Sequence, residues 1–167
     1  MKNIILIGMP GCGKSTAGVL LAKTLGYSFF DTDLLVQQQA GKKLFEIIRD
    51  DGMDAFLQLE NDTVAALEDT DETVIATGGS VVLGEKAMAH LSRMGQVVYL
   101  QLPLSQIEQR ISNIRTRGIA MEPGEGLCDV YARRVPLYER YADIVVPAAS
   151  LSLEETVEEI VRRVDVK

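Results

Sequence analysis

The run Gly8-Met9-Pro10-Gly11-Cys12-Gly13-Lys14-Ser15 fits the pattern G-x-x-x-x-G-K-[ST] and leaves the chain little choice of architecture. Lys2 to Ile7 reads as a short apolar strand buried on both faces. A helix follows the loop, with Val19, Leu20, Leu21, Ala22 and Leu25 at helical spacing and Gly26 as its stop. Strand, glycine loop and helix in that order build an anion site. The glycines let successive backbone N–H groups point at phosphate oxygens, and the positive end of the helix faces the same anion. Lys14 is placed to reach the β- and γ-phosphates of a nucleotide and is expected to stand open to ligand rather than packed. The Ser15 hydroxyl is placed to ligate Mg²⁺. A dinucleotide-binding loop is ruled out by spacing, since these glycines read G-x-x-G-x-G and a lysine follows.

The rest of the chain alternates strands with helices. Ser28 to Phe30 reads as a second strand, ending at Asp31-Thr32-Asp33. Residues 34–67 read as mostly helical, broken near Gly41 and again near Asp50-Asp51-Gly52. A third strand, Thr73 to Ala76, runs into Thr77-Gly78-Gly79-Ser80, and a helix spans Gly84 to Leu91. A fourth strand covers Gln96 to Leu100, and another helix Leu104 to Ile111. Residues 113–126 hold Arg115, Arg117 and Pro123 without an apolar period and read as a long loop of the kind that forms a mobile lid. Leu127 to Tyr141 is helical up to a kink or break at Pro136. Asp143 to Val146 is a fifth strand. The closing helix carries the stripe Leu153, Val157, Ile160, Val161, Val164 and the pairs Glu158–Arg162 and Glu159–Arg163. Such alternation implies an α/β protein, with a five-stranded parallel sheet between two layers of helices and ligands at the carboxyl ends of the strands. One domain is expected over residues 1–167.

Composition narrows the function. A net charge of −7 argues against a nucleic-acid partner, which needs a basic stripe. No apolar run reaches membrane-spanning length, and Ile4 to Ile7 is too short for a signal peptide, so a cytoplasmic protein is expected. Cys12 and Cys128 have no ligand spacing, and His90 has no Cys or His partner, which disfavours zinc chemistry and a Ser-His-Asp triad. There is no N-K-x-D guanine-reading motif, and no apolar strand ends in the D-x-x-G of a hydrolysing enzyme. A kinase for a small molecule or nucleotide fits best, with ATP as donor.

Asp31-Thr32-Asp33 supplies two carboxylates at a strand end facing the phosphates. One suits Mg²⁺ through water. The other suits an acceptor hydroxyl, as base or orienter. Asp33 also fits a helix N-cap before Leu34. Gly78-Gly79 lets backbone approach a ligand closely, or simply makes a turn. Arg115 and Arg117 can close over a transferring phosphoryl group.

These elements together resemble the shikimate kinases, within the nucleoside-monophosphate-kinase-like P-loop fold. The resemblance rests on Gly11 to Thr16, Asp31-Thr32-Asp33, Gly78-Gly79, Arg117 in the lid, and Arg134-Val135-Pro136-Leu137-Tyr138. It implies ATP at Gly11, Cys12, Gly13, Lys14, Ser15 and Thr16, with Arg110 and Arg117 on the adenine and phosphate side. It implies Mg²⁺ at Ser15, with Asp31 in the outer shell. Lys14, Asp33 and Arg117 would be catalytic. The acceptor would meet Asp33, Gly78, Gly79 and Arg134, with its helices at about residues 34–67. A monomer is implied. Three positions depart from the family pattern. Leu57 stands where an arginine gripping the acceptor carboxylate is expected, Ser80 replaces a third glycine, and Gly118 follows Arg117 in place of proline. Arg49 and Lys43 are the cations that could take over from position 57. A related kinase with another acceptor, or a non-catalytic nucleotide-binding homologue, are the alternatives.

Overall fold

The computed structural model describes residues 2–111 and 119–165. Strand β1 (Asn3–Ile7) is buried along its whole length. It leads through the glycine loop into α1 (Lys14–Leu25), β2 (Ser28–Asp31), and three helices, α2 (Thr32–Ala40), α3 (Leu44–Asp51) and α4 (Met53–Ala65). Then come β3 (Thr73–Ala76), a 3-10 turn at Val81–Leu83, α5 (Glu85–Met94), β4 (Gly95–Gln101) and α6 (Leu104–Arg110). Helix α7 (Leu127–Tyr141), β5 (Ile144–Pro147) and α8 (Leu153–Arg163) complete the described chain.

The five strands form one parallel sheet in the order β2-β3-β1-β4-β5. The chain lays β2 and β3 on one side of β1, then β4 and β5 on the other. The crevice where the order reverses opens at the carboxyl end of β1, where the glycine loop sits. Ile4, Ile5, Leu6 and Ile7 are each at most 2 % exposed. A parallel sheet covered on both faces needs such continuous apolar strands. A separate apolar cluster of Val36, Ile47, Phe56 and Ala120 joins α2, α3 and α4 to the segment ahead of α7. It holds those helices over one edge of the crevice.

Several local expectations are corrected by packing. Helix α7 does not break at Pro136 but runs on to Tyr141. Its buried side chains Val130, Arg134 and Tyr138 recur at i, i+4 and i+8, so anchors lie on both sides of the proline. On α1, Val19 is 53 % exposed, and the buried face is Ala17, Gly18, Leu21 and Ala22. Gly18 lies so close to the sheet that a methyl there would meet Phe29 at 2.7 Å. At the C-terminal helix, Arg162 pairs with Glu159 at 2.9 Å instead of with Glu158, and Glu159 also binds Arg163. The Ser152 hydroxyl and the Glu155 carboxylate form a reciprocal cap at its start. The turn at Val81–Leu83, which has no local sequence signal, buries both valines.

Asn3 fastens the amino ends of three strands. Its amide nitrogen donates to the carbonyls of Thr70 (2.6 Å) and Met94 (3.2 Å), and its oxygen accepts from the Thr73 N–H at 3.1 Å. It is fully buried. Asn3→Leu would strip three backbone groups of their partner at once, each worth about 1–3 kcal/mol when left unsatisfied. The expected loss, about 2–5 kcal/mol, is checked by urea denaturation. A loss below 1 kcal/mol would show that water replaces the amide.

Candidate active site

The glycine loop closes on itself. Gly11 and Gly13 have φ of 77° and 92°, a region that glycine enters without strain. Gly13 ends the loop, and α1 starts at Lys14. The Lys14 ammonium donates to the carbonyls of Gly8 (2.8 Å) and Met9 (2.9 Å), and lies 3.7 Å from the Cys12 sulfur. Lys14 is 7 % exposed, which corrects the expectation of an open side chain. The loop supplies its own carbonyls to the charge, so the lysine packs while still lining the cavity. Cys12 is buried in the same loop. Arg110, at the end of α6, reaches the Cys12 carbonyl at 3.4 Å. It borders a small neighbouring cavity with Gly13, Ala148 and Thr156.

Asp31 settles the competing readings of the Asp-Thr-Asp segment. It is the N-cap of α2, and its Oδ1 accepts from the Asp33 N–H at 2.9 Å. Its Oδ2 accepts from the Ser15 hydroxyl at 2.5 Å. A hydroxyl and a carboxylate so paired are hard oxygen donors that suit Mg²⁺, which takes one or two protein oxygens and completes its shell with water and phosphate. Among the described residues no group of three or more His, Cys, Asp or Glu could hold a metal by itself. Asp33, freed from capping, lines the main cavity. Burial, and secondarily the charge of Asp31, push its carboxyl up to about 6, against the pull of Lys14.

The main cavity has a volume of about 250 Å³. The glycine loop forms one wall, and Thr77 to Ser80 after β3 forms another. Phe56 and Leu44 come from the helical side, and Ile119, Ala120 and Arg134 from α7 and the segment ahead of it. Pro10 abuts Gly79, where a methyl would meet its ring at 2.7 Å. At Gly78 a methyl would collide with Asp33 Oδ1 and Glu60 Oε2 alike. Arg134 is 1 % exposed; one Nη donates to the Ala120 carbonyl at 2.7 Å, and its Nε has no hydrogen-bond partner. Among the described residues, Lys14 and Arg134 are the cations of this cavity.

The structure thus gathers Gly11, Gly13, Lys14, Ser15, Thr16, Asp33, Gly78, Gly79 and Arg134 around one space. Leu57 is not among them. Phe56 and Glu60 lie four residues apart on α4 and face inward, so Leu57 is turned about 100° away onto an adjoining groove shared with Glu60 and Ser80. Arg49 is exposed and bound to Asp50 at 2.7 Å, and neither it nor Lys43 lines the cavity. Arg115 and Arg117 lie outside the described residues. The roles of Glu60, Ser80 and Tyr138 do not show in the sequence. The Ser80 hydroxyl donates to Glu60 Oε1 at 2.6 Å, and the Tyr138 hydroxyl donates to the Gly79 carbonyl at 2.5 Å. A signal existed for Glu60, a carboxylate on the stripe Phe56, Glu60, Val64 that is otherwise the buried apolar face of α4.

Comparison with known proteins places the chain in a family. The family pattern described as "Shikimate kinase" matches residues 10–165. The chain belongs to the shikimate kinase family. A shikimate kinase of Chlorobium chlorochromatii is 37 % identical, across 97 % of this chain and 90 % of the relative. One from Thermodesulfovibrio yellowstonii is 34 % identical, across 97 % and 94 %. Among solved structures, a shikimate kinase from Acinetobacter baumannii in complex with shikimate superposes with a TM-score of 0.88 at 28 % identity, covering 97 % of this chain and 92 % of that one. A deoxyadenosine kinase from M. mycoides, 18 % identical with a TM-score of 0.62 over 96 % of this chain and 97 % of its own, shares the P-loop kinase fold.

In this member of the shikimate kinase family the two buried carboxyls link stability to pH. Burial raises Glu60 to about 7, with Asp33 adding to the rise and the Ser80 hydrogen bond, Arg134 and Lys14 opposing it. Asp33 stands at about 6. Both are raised above ordinary carboxyl values, so the folded protein binds more protons than the unfolded chain in the window between. Stability is therefore greatest below that window and falls as pH rises from about 4 to about 7. Melting of the ligand-free protein across this range should show the fall, and Glu60→Gln should flatten the Glu60 share of it. A flat profile in the unaltered protein would mean that both carboxyls stay ionised.

Proposed function

We propose that this chain transfers the γ-phosphoryl group of ATP to a hydroxyl of shikimate, with Mg²⁺ as cofactor. The observation that carries the reading is the single cavity in which a phosphate-binding loop, a carboxylate and a buried guanidinium face one another. The donor half is Gly11 to Thr16. Backbone N–H groups and Lys14 would hold the β- and γ-phosphates, and Arg110 would border the base. Bound at Ser15, with Asp31 in its outer shell, Mg²⁺ would supply positive charge to the phosphates. Asp33 would orient the acceptor hydroxyl and take its proton as the oxygen attacks the γ-phosphorus and the bond to the β,γ-bridging oxygen breaks, releasing ADP. Arg134 would pair with the acceptor carboxylate, beside the Gly78-Gly79 backbone. Ile119 and Ala120 would close the space against water at the end of a lid over residues 113–126, from which Arg117 would reach the transferring group. The reading takes residues 1–167 as one domain and the protein as a cytoplasmic monomer.

The test is release of ADP with shikimate, beside gluconate, homoserine and nucleoside monophosphates. Shikimate should be the preferred acceptor, and preference for another would move the substrate while leaving the donor half in place. Asp33→Asn should cut kcat strongly and leave ATP affinity little changed. Because Asp31 is the cap, the fold should survive this change, and retained turnover would remove Asp33 from the chemistry. Arg134→Lys should raise the shikimate KM by about ten- to a hundredfold, the worth of a charged hydrogen bond. An unchanged KM would mean that the carboxylate is held elsewhere.

A further inference from the structure

Glu60 is buried in the wall between the main cavity and the adjoining groove, 2 % exposed. Its Oε1 takes the Ser80 hydroxyl at 2.6 Å, while its Oε2 is buried without a hydrogen-bond partner. Four groups face it from four elements, namely Ser80 after β3, Asp33 on α2, Lys14 on α1 and Arg134 on α7. Neither cation forms an ion pair with it among the described residues. One turn earlier on α4, Leu57 lines the same groove. Residues at i and i+3 of a helix are neighbours, so a long cation at 57 would lie beside this carboxyl. Leucine offers it nothing.

The segment that Ser80 ends is pinned from three sides. Thr32 on α2 accepts from the Gly78 N–H at 3.3 Å, Tyr138 on α7 donates to the Gly79 carbonyl at 2.5 Å, and Glu60 on α4 holds Ser80. Ser80 also lines both the main cavity and the groove. We propose that Ser80 is a positioning residue for the acceptor. Its hydroxyl gives Glu60 the partner that an apolar residue 57 withholds, and through that bond it fixes Gly78-Gly79 against the acceptor. A hydroxyl at 80 and a cation at 57 are then alternative partners of one carboxyl, and their effects must be non-additive. The inference rests on reading the cavity as the acceptor site.

The test is a double-mutant cycle of Ser80→Ala and Leu57→Arg, read in the KM of shikimate, the KM of ATP and the melting of the ligand-free protein. Ser80→Ala should raise the shikimate KM about tenfold, leave the ATP KM unchanged and lower the melting temperature. Adding Leu57→Arg should recover most of both losses, while Leu57→Arg in the parent should change each far less. Additive effects would overturn the proposal. So would recovery of melting without recovery of the shikimate KM, which would leave Ser80 a purely structural residue. Should Ser80→Ala fail to fold, the double variant must fold, and its failure counts against the proposal. A parent protein inert toward shikimate would sink the acceptor reading alone, and the melting cycle would still decide whether Ser80 and residue 57 serve the same carboxyl.

Discussion

The carboxylate of Asp31 governs the arrangement of this site. One oxygen caps α2, and the other receives the Ser15 hydroxyl from the first turn of α1. A single side chain at the end of β2 thereby locks two helix starts to each other. Both helices point their positive ends toward the same crevice, a favourable place for anions. Asp33 is the second residue of α2, in the turn that the cap fixes, so its direction into the cavity follows from the cap. Were Asp33 itself the cap, its oxygens would be spent on backbone N–H groups. The neighbouring negative charge of Asp31 also has an electrostatic effect, since it helps to keep the Asp33 proton bound to a higher pH than usual.

Much of the fold was legible because the signals are local. The strands are short apolar runs, and the glycine loop announces itself by spacing. The order of elements implied the parallel sheet. The errors arose where tertiary packing outweighs local preference. Proline at 136 is a local break signal, yet Arg134 and Tyr138 on either side of it are buried and the helix continues through it. Val19 fits helical spacing on α1, but the sheet contacts the neighbouring face, where Gly18 rather than a large side chain makes the approach.

The site was legible around the glycine loop and less so across the cavity from it. The loop from Gly11 to Thr16 is contiguous, so its spacing alone carries its chemistry. The cavity wall opposite the loop is assembled from α2, α4, the turn after β3 and α7, and no local pattern shows that Ser80 touches Glu60, twenty residues away. Leu57 illustrates the same limit. Its position in a family motif suggested the acceptor cavity, whereas the 3.6-residue turn of α4 points it into the groove next door. Tyr138 was visible only as part of a motif, and its hydroxyl proves to hold the Gly79 carbonyl.

The grip of Lys14 on its own loop bears on how the proposed phosphate site would take its ligand. The ammonium already has two carbonyl partners, at 2.8 and 2.9 Å. An arriving anion is therefore an incoming ligand in an exchange reaction, and its rivals are built into the chain. Affinity measures the difference between phosphate oxygens and peptide oxygens as partners of the same cation. Neutral or weakly charged visitors gain too little from the exchange to displace the carbonyls. On that reading a preference for a polyanion over water and small solutes would be set in the resting state, before any substrate arrives.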